Sequence, residues 1–338
     1  MMQCTDHVHD TSSPSKLVAV IVLSWNNYAD LSKCLESVLN SDVHGFSLKV
    51  IVVDNGSTDD LCSRLKREYS SVTVLCTGVN LGFARGNNVG IKHALGLGAD
   101  YVVLLNQDVF VSSQYIQTLV EFMEKNPYVG IAGGKVLFAD RPKVIWSAGG
   151  RINWWLGRFG GHGYKQVDSQ GKYTTIREVD YIPGAAMIIR RELLEAIGLL
   201  PECYFLGGEE VDFAVRARKA KFKVCYVPSP EAYVWHRVGY SGRFDPAMVY
   251  NRFRNTFLFL ERNLPRPLWW AWQLASWIYV TIFWDALTCL RKGERRRVHK
   301  LLYMLALKDH RRYKMVAAEH LDVIRNQIAV AELSLKSS

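Results

Sequence analysis

The sequence predicts an α/β fold, a mostly parallel sheet flanked by helices. Two observations carry that reading. Apolar runs rich in β-branched residues alternate with amphipathic stretches, and three of the runs end in Asn, Asp, Ser or Gly. Strands that alternate with helices build a parallel sheet through right-handed crossovers. Polar residues on the C-terminal edge of such a sheet are where it places ligand chemistry.

The elements follow in order. Val18 to Leu23 is a continuous apolar run, the mark of a strand covered on both faces. Asp30 to Leu39 then sets Leu31, Cys34, Leu35 and Val38 at helical spacing. Val50 to Val53 is the second strand, and Ser57, Thr58 and Asp59 cap a helix reaching Glu68. Val72 to Cys76 is the third strand, Ala84 to Leu97 a helix, and Tyr101 to Leu105 the fourth strand. Ser113 to Lys125 is a further helix, stopped by Asn126 and Pro127. After Val129 the rhythm is lost. Residues 140–180, rich in Gly, Trp and Tyr, read as loops and short strands, the part of a pocket that varies between relatives.

Composition narrows the class. The 338 residues are 49% hydrophobic, ample for a packed core. The cysteines (4, 34, 62, 76, 203, 225 and 289) are odd in number and form no CxxC pair. That spacing argues against a disulfide framework or a zinc knuckle and for a reducing compartment. Residues 1–16 are polar, with Asp6 and Asp10, and are expected to be a disordered tail rather than a signal peptide.

The C-terminal region, 263–338, reads as helical, first hydrophobic and then basic. Residues 268–290 carry Asp285 as their only charge and half of the chain's ten Trp. A helix of that length is about 34 Å long, enough to cross a bilayer core. Crossing would send the basic tail to the far side, although Arg262 and Arg266 mark the near flank. Trp favours the headgroup level, so the preferred reading is a helix in or on the membrane surface. Of the net charge of +10, residues 291–338 hold +7, from twelve Lys/Arg against five Asp/Glu. Anionic lipid suits that tail. A helix packed on the core or on a second subunit stays open. Nucleic acid is not expected, because no recognition motif accompanies the basic charge.

The strand ends carry the chemistry. Ser24 and Asn26 follow the first strand, Asp54 ends the second, and Asn106, Gln107 and Asp108 follow the fourth. Asp54 can accept from an N–H on a base edge, or can simply close an Asx turn. Asn80 to Asn88 combines glycines with Arg85 at a helix start, which suits a diphosphate. A diphosphate needs its charge neutralised, and a hard divalent ion held by Asp108 would do this. His236, after the strand-like Ala232 to Trp235, is a second candidate ligand. Glu209, Glu210 and Asp212 open a helical stretch. Acid in a first turn favours the helix dipole, yet one carboxylate there could take a proton from an attacking hydroxyl. Asp212 and Arg216, four apart, are expected to pair.

Taken in order, Val20 to Asn27, Val53 to Asp59, Asn80 to Asn88, Asn106 to Asp108, Glu209 to Asp212 and His236 resemble the family 2 glycosyltransferases. The resemblance is closest to their rhamnosyltransferase-like branch and covers residues 17–262. It implies the GT-A fold, Rossmann-like, with a nucleotide-binding half (17–138) and an acceptor-binding half (139–262). It also implies inverting transfer, with rhamnose favoured, from a dTDP- or UDP-linked sugar. The acceptor would be a saccharide or lipid-linked saccharide in cell-surface polysaccharide synthesis, at the inner face of the cell membrane. By the roles that the resemblance implies, Asp54 contacts the base and Arg85 the diphosphate. Ser24, Asn26, Asn80, Asn106 and Gln107 line the nucleotide site. Asp108 and His236 bind Mn²⁺ or Mg²⁺, and Glu210, or Glu209, is the general base.

Three positions depart from the family pattern. Asn106 stands where an acid is frequent, Glu210 where Asp is usual, and Gly207-Gly208 where aromatic residues are usual. A catalytically weak nucleotide-sugar-binding component of a membrane assembly complex, or a membrane scaffold, are the rival readings. Nothing in the pattern assigns an oligomeric state.

Overall fold

The computed structural model describes residues 16–169, 171–237, 245–279, 294–310, 319–326 and 328. Its central sheet has eight strands, half of them from the predicted alternation. These are β1 (Lys16–Ser24), β2 (Phe46–Asp54), β3 (Thr73–Cys76) and β4 (Tyr101–Asn106), all parallel in the order β4-β1-β2-β3. The remaining strands extend the sheet beyond β4 in the order β12-β6-β13-β11. They are β6 (Val129–Gly133), β11 (Arg177–Glu178), β12 (Ala186–Arg190) and β13 (Lys223–Tyr226). Of these, β12 runs antiparallel to both β4 and β6. The stretches before and after residue 138 therefore share one sheet.

The continuous apolar run of β1 has the predicted cause. Ala19 and Ile21 enter one core and Val18, Val20 and Val22 the other, so both faces are covered. The helices α1 (Tyr28–Leu39), α2 (Leu61–Glu68), α3 (Phe83–Gly96), α4 (Tyr115–Lys125) and α5 (Arg191–Ile197) flank this sheet. Ser57 does not cap α2 as expected. Its Oγ accepts the Asn26 N–H at 3.0 Å, and the helix starts later, after Asp60.

A second sheet, in the order β5-β14-β7-β8, stands at the end of β4. It consists of β5 (Val109–Val111), β7 (Lys135–Phe138), β8 (Arg141–Ser147) and β14 (Tyr233–His236). Between β4 and β5 the chain passes from one sheet to the other in two residues, Gln107 and Asp108. β9 (Gly150–Asn153) and β10 (Arg158–Gly161) form a separate antiparallel hairpin.

The C-terminal half of the chain adds α6 (Glu209–Lys219), α7 (Pro246–Asn263), α8 (Arg266–Ile278) and α9 (Glu294–Asp309). Among the described residues, no helix is long and apolar enough to cross a membrane. Residues 280–290 of the Trp-rich segment, and residues 1–15 of the expected tail, lie outside the described residues.

One sequence reading is corrected. Cys62, at the start of α2, and Cys76, at the end of β3, are joined as a disulfide with their Cα atoms 6.3 Å apart. The pairing comes from the packing of α2 along β3, which cysteine spacing does not reveal.

Buried Asn55 ties the loops together behind the sheet edge. Its amide donates to Asn80 Oδ1 (3.2 Å) and to the Gly82 carbonyl (3.3 Å), and its Oδ1 accepts the Leu81 N–H at 3.0 Å. Asn55→Ala strands these partners in a dry environment. Chemical denaturation should show a loss of about 2–4 kcal/mol. A change under 1 kcal/mol would mean water replaces the amide.

Candidate active site

The strand ends on the C-terminal edge are held in register by their own side chains. Gln107 Oε1 accepts from Ser24 Oγ at 2.7 Å and from the Trp25 N–H at 2.9 Å, and its Nε2 donates to the Trp25 carbonyl at 3.0 Å. These bonds clamp the end of β4 to the end of β1. Asn26, left-handed at φ 50°, accepts the Thr58 N–H at 2.8 Å and so fastens β1 to β2. Ser24 Oγ, Asn26 Oδ1 and the Gln107 amide thus brace the edge. Asn80 does the same, accepting from the Gly82 N–H at 2.9 Å and from Asn55.

Asp54 lies buried at the end of β2, with 5% of its surface exposed. Its Oδ1 accepts the Ser57 N–H at 3.0 Å, so the Asx turn weighed from the sequence is present. A carboxylate oxygen of Asp54 and the sulfurs of Cys62 and Cys76 lie within 4.8 Å of one another. Those sulfurs are joined to each other and offer no thiolate to an ion. Gly56 allows close approach behind Asp54, since its φ is 75° and a Cβ there would meet the Val79 carbonyl carbon at 2.3 Å.

Asp108 and His236 come together although one follows β4 and the other ends β14. The register His236↔Val109 and the bond from the Arg237 N–H to the Asp108 carbonyl (2.8 Å) set the imidazole beside the carboxylate. His236 Nε2 lies 3.3 Å from Asp108 Oδ1, with the Asp108 side chain one-quarter exposed. Two cis ligands on one ion, with bonds of about 2.1–2.3 Å, lie about 3.0–3.3 Å apart. The pair therefore fits a divalent cation, and the mixed N/O donor set suits Mn²⁺. Trp146 holds the ring edge-on at 4.6 Å. The Asn106 N–H is bonded to the Ala185 carbonyl (3.0 Å), which joins this strand end to the approach to β12.

The helix α6 begins across that same corner. Gly208, its N-cap, has φ 105° and Gly207 has φ 87°. L side chains rarely adopt such values, so these two positions require glycine rather than merely omit aromatic bulk. Asn255 of α7 donates to the Gly207 carbonyl (2.6 Å) and the Leu206 carbonyl (3.1 Å), and Asn251 donates to Leu206 as well (2.6 Å). This loop also reaches the nucleotide side, where the Phe205 carbonyl accepts the Phe83 N–H at 2.7 Å. One helix-start donor of α3 is thereby taken. Arg85 keeps most of its freedom, with only a long 3.9 Å approach to Glu202 and 41% of its side chain exposed.

Glu209 and Glu210 differ in setting. Glu209 is 2% exposed, its Oε2 has no hydrogen-bond partner among the described residues, and burial beside Glu210 pushes its carboxyl up to about 8. Glu210 is half-buried and accepts the Gly208 N–H at 3.2 Å, and desolvation raises its carboxyl above the ordinary range. A Cβ placed on Gly184 would lie 3.6 Å from Glu210 Cβ. Gly184 directly precedes Ala185, whose carbonyl accepts the Asn106 N–H, so the start of α6 lies near the chain that pairs with the end of β4.

The expected Asp212–Arg216 pair does not form. Asp212 is held by Arg262 Nε (2.7 Å), Tyr204 Oη (3.1 Å) and Asn263, while Arg216 donates to the Ile197 and Leu199 carbonyls at 2.6 Å. The carbonyls at and beyond the end of α5 capture the guanidinium first. Sequence reading gave Asn55 no role of its own within the Val53 to Asp59 motif, and it missed Trp146, Asn251 and Asn255. The asparagines carry no pattern signal, because their partners are loop carbonyls and amides distant in the chain.

Comparisons with known proteins identify the family and the fold. The Glycosyl transferase family 2 model matches residues 19–198, more than half of the chain. The chain is 26% identical over 275 residues to the N-acetylglucosaminyl-diphospho-decaprenol L-rhamnosyltransferase of Mycobacterium tuberculosis, covering 74% of this chain and 87% of that one. It is 26% identical to the dTDP-rhamnosyl transferase RfbF of Shigella flexneri, over 74% of this chain and 81% of the relative. Among solved structures, it resembles GalNAc-T7 with UDP, GalNAc and Mn²⁺ (TM-score 0.59, 14% identity, 88% of this chain and 56% of that one). It also resembles TarS of S. aureus (TM-score 0.55, 16% identity, 91% of this chain and 50% of that one). The chain thus spans about half the length of these two structures. The chain belongs to glycosyl transferase family 2 and has the GT-A fold.

Proposed function

We propose that this glycosyltransferase is inverting and metal-dependent, and that it moves a sugar, rhamnose favoured, from a dTDP- or UDP-linked donor. The acceptor is a saccharide or lipid-linked saccharide in cell-surface polysaccharide synthesis. The observation that carries the reading is the Asp108–His236 pair, 3.3 Å apart, brought together from the ends of two different strands. The rhamnosyltransferase names of the relatives support the sugar, and the RfbF name supports dTDP.

In this reading, Asp54 meets the base and Arg85 approaches the diphosphate. Ser24, Asn26, Asn80, Asn106 and Gln107 hold the rim against which the nucleotide lies. Asp108 and His236 would hold Mn²⁺ or Mg²⁺, which when bound offsets charge on the departing nucleoside diphosphate. The acceptor oxygen forms its bond to the anomeric carbon as the bond from that carbon to the diphosphate oxygen breaks. Glu210 takes the acceptor proton. Glu209, buried and with its pKa raised to about 8, stays protonated at neutral pH, and Glu210, the less buried of the two, is assigned the role of base. Residues 139–262 contribute the acceptor side. The hydrophobic and basic region 263–338 keeps the enzyme on the cytoplasmic face of the membrane, where lipid-linked acceptors lie.

Glu210→Gln should lower kcat on the order of 10²–10⁴-fold and leave nucleoside diphosphate affinity nearly unchanged. Transfer from a labelled dTDP-sugar measures both effects, and near-normal turnover removes Glu210 from the role. In the wild type, activity should rise with pH along a limb above the ordinary carboxylate value of 4.5.

Glu209 has a separate signature in stability. Its folded pKa is raised, so its favourable contribution is complete below about 4.5 and is lost as pH rises toward about 8. Relative to wild type, Glu209→Gln should therefore gain thermal stability across that window. A pH-independent difference would mean that Glu209 is not protonated in the fold.

A further inference from the structure

We infer that the tip of the β9–β10 hairpin, Trp155 and Leu156, is a second lipid-contact element. It acts together with the outward side of α8, and α7 couples both to the catalytic loop. The proposal deepens the membrane-associated reading above, because it names the surface that would meet the bilayer. It rests on that reading.

Trp155 is 90% exposed and Leu156 56% exposed at the tip. The tip is not a loose loop. The Leu156 N–H donates to Asn153 Oδ1 at 3.0 Å, and Gly157, at φ 57°, seats the turn on α7, where a Cβ would meet Thr256 and Leu260 at 2.8 Å. Trp154 and Phe159 on either side pack against Phe259, tilted and edge-on, with ring centroids 5.3 and 4.9 Å away. Exposed aromatic and aliphatic side chains on a braced turn have no role in the core.

The tip is continuous with α8. Trp272 Nε1 donates to the Trp155 carbonyl at 3.1 Å, and Leu268 lies one helical turn before Trp272. Leu268 (57%), Trp270 (58%), Leu274 (60%) and Trp277 (56%) are all more than half exposed. The exposed positions of α8 beyond Arg266 carry no charge. Exposed Arg151 and Arg158 on the hairpin strands and Arg266 at the start of α8 add positive charge beside this apolar surface. The chain beyond residue 290 adds a further +7. Apolar area with Trp, bordered by positive charge, matches the interface of an anionic bilayer.

α7 gives the surface its consequence. Asn251 and Asn255 hold the Leu206–Gly207 carbonyls just before Glu209. On the same helix, Thr256 to Leu260 seat the hairpin tip, and Phe257 packs on Trp272 at 5.7 Å. One helix thus fixes the catalytic loop relative to the lipid-facing surface, which suits an acceptor whose lipid remains in the bilayer.

The test is co-sedimentation of the full chain with phosphatidylcholine vesicles containing about one-third phosphatidylglycerol. The double variant Trp155→Ser, Leu156→Ser should bind about tenfold more weakly than wild type, with its melting temperature unchanged. Trp155→Phe should retain most of the binding. Transfer to a water-soluble acceptor should stay at the wild-type level, which separates this surface from the catalytic assignment. Unchanged vesicle binding by the double variant would overturn the proposal. So would a fall in oligomer size caused by the substitutions without lipid, because a second copy of the chain would then be what the surface meets.

Discussion

The site depends on one constraint, the two-residue passage from β4 to β5. Gln107 and Asp108 leave the central sheet and enter the second one without a loop to absorb error. Gln107 is therefore clamped to Ser24 and Trp25, and Asp108 is projected to where β14 delivers His236. β14 reaches that position because it lies between β5 and β7 and takes its register from both. A shift of one residue would turn His236 to the other face of the sheet. The 3.3 Å contact is thus a statement about strand register before it is a statement about chemistry.

The first four strands and the helices around them were legible because both faces of the sheet are covered. Continuous apolar runs then mark strands, and helical spacing marks the layer that covers them. The candidate acids were legible by position, Asp54 and Asp108 at strand ends beside apolar runs and Glu210 in the first turn of a helix. What each polar side chain does was less so. Ser24, Asn26, Asn80 and Gln107 hold the edge together, and such bracing looks like ligand contact in a sequence because both need the same polar atoms. The antiparallel β12 was hidden for another reason. Its apolar run is indistinguishable from a parallel strand until its neighbours are known.

α7 was missed because its inner face is not apolar throughout. Asn251, Arg254 and Asn255 are nearly fully buried there, and their partners are loop carbonyls such as those of Cys203, Leu206 and Gly207. These bonds break the hydrophobic period that identifies a helix, yet they are what hold the loop before α6 in place. The two glycines of that loop belong to the same device. Their positive φ values turn the chain sharply at the point where Glu209 enters the interior and Glu210 is left half-buried. Burial then gives two adjacent, chemically identical carboxyls different settings, with Glu209 raised to about 8.

Calorimetric titration of dTDP and of UDP, with Mn²⁺ and then with EDTA, tests the central claim most directly when run on wild type, Asp108→Ala and His236→Ala. The account predicts metal-dependent binding in the wild type, with a preference for one of the two diphosphates. It also predicts that each variant falls to the level that EDTA produces. Equal wild-type affinity with and without the metal, or full Mn²⁺ dependence retained in both variants, would contradict it.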